Sequence, residues 1–305
     1  MIQADFVWRN GKLVPFAEAT THVTAFTLHY GLAVFEGIRC YRRSDGTSAV
    51  FRLRDHVERL LDSCKIATLE VRFDRDQLEA ACLGTLRANR LDEAYLRPLV
   101  YVGHGALGLG TRENPVETAV VAFRWAPPLG EEGQRNGVRA LVSSLVRGHP
   151  NHAMSKAKIS GGYVNSVLAK REVQRIGYDE AILLDSEGRV AEGTGDNIFI
   201  VHKETLFTPP LDMPILAGIT RDSVIALAGD AGVPVIERSF TRDMLYTASE
   251  VFLTGTAVEL TPVREVDGRP VGDGRPGPVT RTLQAAFTAA TRDATPPHPE
   301  WLSWL

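Results

Sequence analysis

The stretch Trp125-Ala-Pro-Pro-Leu-Gly-Glu-Glu-Gly-Gln constrains this chain more than any other, because no regular pattern survives across it. Paired prolines remove backbone donors and bias the residue before them away from helix, and the glycines and carboxylates that follow favour solvent. On either side, short apolar runs alternate with helical patterns. Before it, Asn10-Gly11 reads as a tight hairpin and residues 34–41 and 49–53 as strands. Asp55 is placed to cap a helix carrying Val57, Leu60, Leu61 and Cys64 on one face. A second helix over 75–88 precedes apolar runs at 95–102 and 116–123. After it, 161–176, 220–231 and 278–290 read as helices, and 181–184, 197–202, 251–254 and 260–266 as strands. Asp185-Ser-Glu-Gly-Arg189 reads as a turn, and the Thr295-Pro-Pro-His-Pro tail is expected on the surface. The pattern predicts an α/β (α+β mixed) protein in two domains with a cleft at the linker. Their expected bounds are 1–124 and 136–305, joined by 125–135.

Composition narrows the function classes. With 305 residues, 44% of them apolar and 23% charged, the chain belongs with soluble globular proteins and is long enough for two cores. A net charge of −3 without a basic run argues against a nucleic-acid partner. No apolar run approaches the roughly 20 residues that span a bilayer, so no membrane partner is expected. Cys40, Cys64 and Cys82 are too scattered for a disulfide framework or a metal site, which suits a reducing cytosol. Met1-Ile-Gln-Ala-Asp-Phe lacks the layout of a signal peptide, and a cytoplasmic protein is expected.

Several segments carry candidate chemistry. In Met154-Ser-Lys-Ala-Lys-Ile-Ser-Gly-Gly-Tyr163, two lysines precede a Gly-Gly pair; alone, they read as solvated loop charges. Ala191-Glu-Gly-Thr-Gly-Asp-Asn-Ile-Phe sets two carboxylates around glycines and reads equally well as a surface hairpin. Ala217-Gly-Ile-Thr-Arg221 places Gly218 before a helix whose first N–H groups could hold an anion, a weak signal by itself. Thr254-Gly-Thr-Ala257 is a second turn of that kind. Arg59 is an exposed helical arginine or a phosphate partner. His29-Tyr-Gly-Leu-Ala-Val-Phe-Glu-Gly-Ile-Arg39 and Ala94-Tyr-Leu-Arg-Pro98 can each be core packing.

In their order and spacing, from about Phe26 to about Val279, these segments resemble the branched-chain amino-acid aminotransferases. That family belongs to the fold-type-IV enzymes dependent on pyridoxal 5′-phosphate. The resemblance implies a two-domain fold with the cofactor at the domain interface. It implies ping-pong exchange of the amino group between L-Leu, L-Ile or L-Val and 2-oxoglutarate, in homodimers or higher homo-oligomers. Lys158, followed by Gly-Gly and then Tyr163 five positions on, matches the lysine that carries the cofactor as a Schiff base; Lys156 does not. Tyr163 would meet the cofactor's phenolic oxygen and Glu192 its ring nitrogen. Arg59, Gly218, Ile219, Thr220, Gly255 and Thr256 would form the phosphate cup. Tyr95 with the Thr256-Ala257 turn would bind the substrate α-carboxylate. Tyr30, Phe35, Gly37 and Trp125 would line an apolar side-chain pocket, with Arg97 reserved for the carboxylate of glutamate. Pro128 departs from the family, which often has tyrosine there, as does Ile-Ser-Gly-Gly-Tyr after Lys158. The alternatives are a D-amino-acid or amine transaminase, a lyase of the same fold, or a non-catalytic cofactor-binding protein. Retention of Lys158, Tyr163, Glu192 and Arg59 together speaks against the last.

Overall fold

The computed structural model describes residues 4–125 and 129–305, so Pro128 lies outside the described residues. The chain divides into two compact units. One comprises Met1–Trp125, Ala157–Gly162 and Ala290–Leu305; the other comprises Ala126–Lys156 and Tyr163–Ala289.

The first unit is built on an antiparallel sheet of eight strands among the described residues. Its order is Leu302–Trp304, Ser48–Phe51, Ile38–Arg42, Ala94–Val102, Val116–Phe123, Phe6–Arg9, Lys12–Pro15, with Ala33–Phe35 also paired to Ala94–Val102. Asn10 and Gly11 take positive φ and close the hairpin between Phe6–Arg9 and Lys12–Pro15, as their sequence predicts. Helices Leu53–Ile66 and Arg75–Ala88 cover one face, burying Val57, Leu60, Leu78 and Leu86 against Ile38, Cys40, Leu96 and Val100. Strand alternation then settles the other face. Because Leu96 and Val100 point at the helices, Tyr95 and Arg97 point away from them.

Two local expectations need correction. The stretch 34–41 is two strands, Ala33–Phe35 and Ile38–Arg42, broken at Glu36-Gly37 where the Glu36 side chain turns inward to ionic partners. Asp55 does not cap its helix: Arg52, in left-handed conformation, is the N-cap, and Asp55 pairs with the Arg52 guanidinium at 2.5 Å. The Thr295-Pro-Pro-His-Pro stretch is partly to fully exposed, as expected, and beyond it Leu302–Trp304 returns to the sheet as an edge strand on Ser48–Phe51.

The second unit holds a mixed sheet of nine strands among the described residues. Its order is Val190–Gly193, Glu180–Leu184, Val138–Val146, Glu259–Val266, Glu250–Gly255, Asn197–His202, Thr205–Thr208, Val235–Glu237, with Arg269–Pro270 paired to Glu259–Val266. Val138–Val146 runs parallel to both neighbours. Sequence reading passes over this strand, although Val138, Ala140 and Val142 alternate inward. Helix Tyr163–Gln174 packs Ala169 and Val173 on Ala181 and Leu183. Helix Ile219–Asp230 buries Val224, Leu227 and Ala228.

Candidate active site

Within the second unit, Glu192 is a carboxylate on a fully buried strand, Val190–Gly193. A bulge between Val190 and Glu192 shifts that strand's register against Glu180–Leu184 and re-aims the side chain. Oε1 lies 2.5 Å from Nη2 of Arg147. Oε2 accepts from Nδ2 of Asn197 at 3.2 Å and from the Leu216 N–H at 3.1 Å. Arg147, Tyr163, Glu192, Thr194, Gly195, Asp196, Asn197 and Leu216 line one recess.

Asn197 joins this carboxylate to the next part of the site. Its Nδ2 also donates to the Leu216 carbonyl at 3.0 Å, and its Oδ1 would stand 1.8 Å from a Cβ added at Gly218. Only glycine fits there. Gly218 is the N-cap of Ile219–Asp230 and has no side chain to occupy the first-turn N–H groups, including those of Ile219 and Thr220. A helix start left open in this way, with the dipole behind it, suits an anion. Gly255 ends the strand Glu250–Gly255, and Thr256 and Ala257 follow it in the turn, all three partly exposed. A Cβ on Gly255 would come within 2.9 Å of Asp196 Oδ1. Thr254 Oγ1 is buried and finds no hydrogen-bond partner among the described residues.

Within the first unit, Lys158 follows Ala33–Phe35 closely. Its carbonyl accepts from the Phe35 N–H at 3.1 Å, its own N–H donates to Ser63 Oγ at 3.0 Å, and Ile159 bridges Val34. Its Nζ stands 5.2 Å from the Phe35 ring centroid. Gly161 explains half of the Gly-Gly signature: its N–H donates to the Gly31 carbonyl at 3.0 Å. A Cβ on Gly31, itself at φ +70°, would meet Gly161 Cα at 2.8 Å. The other lysine is occupied differently. Lys156 Nζ donates to the carbonyls of Met213 and Ile215, each at 2.8 Å.

Arg59 is held by Glu36, Nε to Oε1 at 2.7 Å and Nη2 to Oε2 at 2.8 Å. Nδ1 of His56 lies 2.8 Å from the same Oε2. A carboxylate can only accept, so Nδ1 carries the hydrogen. Burial pushes the Glu36 carboxyl up, but Arg59 and His56 outweigh it and hold the group well below the usual carboxylate range. Burial likewise lowers the His56 pKa, against the pull of Glu36.

Phe35, Gly37, Tyr95, Arg97 and Trp125 come together. The Arg97 guanidinium lies 4.7 Å from the Phe35 centroid and 5.4 Å from that of Tyr95. Tyr95 stacks on Trp125 at 5.0 Å, and its hydroxyl would be 1.8 Å from a Cβ on Gly37. Tyr30 has other partners: it is 46% exposed, packs on Phe26 and donates to the Leu107 carbonyl. Sequence reasoning passes over Glu36, His56, Arg147 and Asn197. Glu36 and Asn197 lie inside quoted segments, but nothing local marks their partners.

The family model described as amino-transferase class IV matches residues 33–266. The branched-chain-amino-acid aminotransferase of Pseudomonas aeruginosa is 44% identical over 295 residues, 97% of this chain and 95% of that protein. The chain belongs to the branched-chain aminotransferases of class IV. Among solved structures, the Escherichia coli branched-chain amino acid aminotransferase superposes with a TM-score of 0.96 at 44% identity, covering 99% of each chain. The T.th. branched-chain amino acid aminotransferase has been solved complexed with N-(5′-phosphopyridoxyl)-L-glutamate and with 4-methylvaleric acid. Both match with a TM-score of 0.93 at 43% identity, over 100% of this chain and 99% of theirs. Membership of class IV makes the chain an aminotransferase.

Proposed function

We propose that this aminotransferase exchanges the amino group between L-Leu, L-Ile or L-Val and 2-oxoglutarate, using pyridoxal 5′-phosphate. The observation that carries the reading is the tie through Asn197 between the buried Glu192 and the open start of helix Ile219–Asp230. It offers a carboxylate for a ring nitrogen and amides for a phosphate within one unit. The glycine at 218, which leaves the helix start without a capping side chain, fits a bound anion. The T.th. relative's two complexes pair a phosphopyridoxyl group with glutamate and provide an aliphatic acid, in keeping with both substrate classes.

In this reading Lys158 carries the cofactor and its Nζ moves the proton of the substrate α-carbon. Pyridoxal phosphate, when bound, supplies the electron sink that makes this proton removable. Tyr163 donates to the phenolic oxygen, and Glu192 accepts the ring N–H. The amides of Ile219 and Thr220, the Thr256 hydroxyl and Arg59 hold the phosphate, with Gly218 and Gly255 permitting close approach. Tyr95 and the Thr256-Ala257 turn hold the α-carboxylate. Phe35, Gly37, Trp125 and Tyr30 face the aliphatic side chain, and Arg97 takes the second carboxylate of glutamate.

We further infer a homodimer or higher homo-oligomer. Val164, Val167 and Leu168 form one helical stripe at 61%, 46% and 51% exposure, an apolar face suited to a second copy. The cytoplasm is the compartment we assign, since Cys40, Cys64 and Cys82 are free thiols. Among the described residues no helix is long and apolar enough to cross a membrane.

A half-reaction panel tests the function. Cofactor absorbance is followed as L-Leu, L-Ile, L-Val, L-Glu, D-Ala and (R)-1-phenylethylamine are added to the holoenzyme. Conversion by the L-aliphatic acids and L-Glu is expected; preference for D-Ala or the amine would replace this reading by a related transaminase.

A further inference from the structure

We propose that Arg147 is the positioning residue that keeps Glu192 ionised, so that the proton shared between Glu192 and the cofactor's ring nitrogen stays on the nitrogen. The inference rests on the reading of Glu192 given above and adds a second residue to it.

Arg147 lies just beyond the strand Val138–Val146 and is fixed along its length. Its backbone N–H donates to the Leu184 carbonyl at 2.7 Å, its Nε to the Pro214 carbonyl at 3.4 Å, and its Nη2 reaches Glu192 Oε1 at 2.5 Å. The side chains are 17% and 6% exposed, so water screens this pair little. A carboxylate buried without a cation tends to keep its own proton. A pyridine nitrogen facing it would then be left neutral and be a poor electron sink. Asn197 and the Leu216 amide also bond Glu192, but both are neutral donors and lower a carboxylate's basicity less than a guanidinium does. The other groups of the neighbourhood do not replace Arg147. The Lys156 ammonium also acts on Glu192 through space, but its hydrogen bonds go to the Met213 and Ile215 carbonyls; Tyr163 brings no cation, and Asp196 and Asp212 bring the wrong sign. Charge at Oε1, supplied by Arg147, decides which acid holds the proton.

The test is the ¹⁵N chemical shift of the ring nitrogen in holoenzyme reconstituted with ring-labelled pyridoxal phosphate. Wild type should show the pyridinium shift. Arg147→Gln, which keeps a donor and removes the charge, should move the signal toward neutral pyridine; Arg147→Lys should move it back. Circular dichroism and thermal unfolding check that each variant is folded, and Glu192→Gln serves as reference. If Glu192→Gln leaves the shift at the pyridinium value, Glu192 is not the ring partner, and the underlying reading fails. If Glu192→Gln moves the signal while Arg147→Gln does not, Glu192 keeps its role and the proposal for Arg147 is overturned. Equal shifts in Arg147→Gln and Arg147→Lys would also overturn it, because charge would then not be the cause.

Discussion

Glu36 grips Arg59 with both oxygens, and His56 occupies one of the same oxygens from within the helix that carries Arg59. The Glu36 side chain is completely buried, so neutralising it takes from Arg59 a carboxylate partner that water does not readily replace. Losing one member of a buried pair costs about 3–5 kcal/mol. We expect Glu36→Gln to lower stability to unfolding by roughly 3 kcal/mol at pH 7.

The pH dependence of that loss has a definite sign. The folded pKa of Glu36 is depressed, so its contribution is fully present above the unfolded value of about 4.3 and fades as pH falls toward the folded one. Urea titrations of both proteins at pH 7, 5 and 3.5 should therefore show the gap constant at the first two and narrower at the third. A gap that widened in acid would contradict the assigned direction.

Lys158 and Lys156 make opposite predictions. Lys158→Ala should abolish turnover while the protein still binds pyridoxal phosphate. Lys156→Ala should leave the covalent site intact and loosen only the segment at Met213 and Ile215. Borohydride reduction of the wild-type holoenzyme and peptide mapping decides between the two. Label on Lys156 would end the assignment of Lys158.

Gly218 and Asn197 should behave as one unit. A Cβ at 218 meets Asn197 Oδ1 at 1.8 Å, although the backbone there, at φ −71°, accepts alanine. The clash is thus with a side chain, and we expect Gly218→Ala to cost about 1–3 kcal/mol. In an Asn197→Ala background the same substitution should cost clearly less, because the obstructing oxygen is gone. A double-mutant cycle by urea unfolding measures the coupling. Strict additivity would show that Asn197 is not what requires glycine.

What the sequence disclosed, and what it hid, divides along a physical line. Asn10-Gly11, the capped helix Arg75–Ala88 and the helix start at Gly218 are local devices, complete within a few residues, and they are legible. Glu36 and Asn197 act through partners 23 and 19 residues away, and those spacings have no period to read. Arg147 is harder still. It follows a strand whose Arg139, Ser143 and Ser144 masked the inward alternation of Val138, Ala140 and Val142. Its partner Glu192 sits on a strand whose glycines read as a surface hairpin. The terminal strand Leu302–Trp304 was hidden because its preceding prolines signal only the end of regular structure, not a return to the sheet.

Arg97 carries the question of how one pocket takes both an aliphatic side chain and glutamate. Its guanidinium lies near the Phe35 and Tyr95 rings, with Nη2 donating to the Tyr95 hydroxyl at 3.4 Å, and its Nε is buried with no hydrogen-bond partner among the described residues. The aromatic faces stabilise the cation and leave its fork able to receive a carboxylate. Without it, the second carboxylate of glutamate would enter an apolar pocket unpaired, at a cost of several kcal/mol. Arg97→Met keeps the apolar stem over Phe35 and removes the charge. We expect the L-Glu half-reaction to weaken by about 2 kcal/mol or more, the order for loss of a charged partner. The L-Leu half-reaction should change much less, since its side chain needs only the apolar wall. Single-turnover kinetics with each donor separate the two. Equal losses would mean that Arg97 holds Tyr95 and Phe35 in place rather than reading the substrate, and the account of dual specificity would then fall.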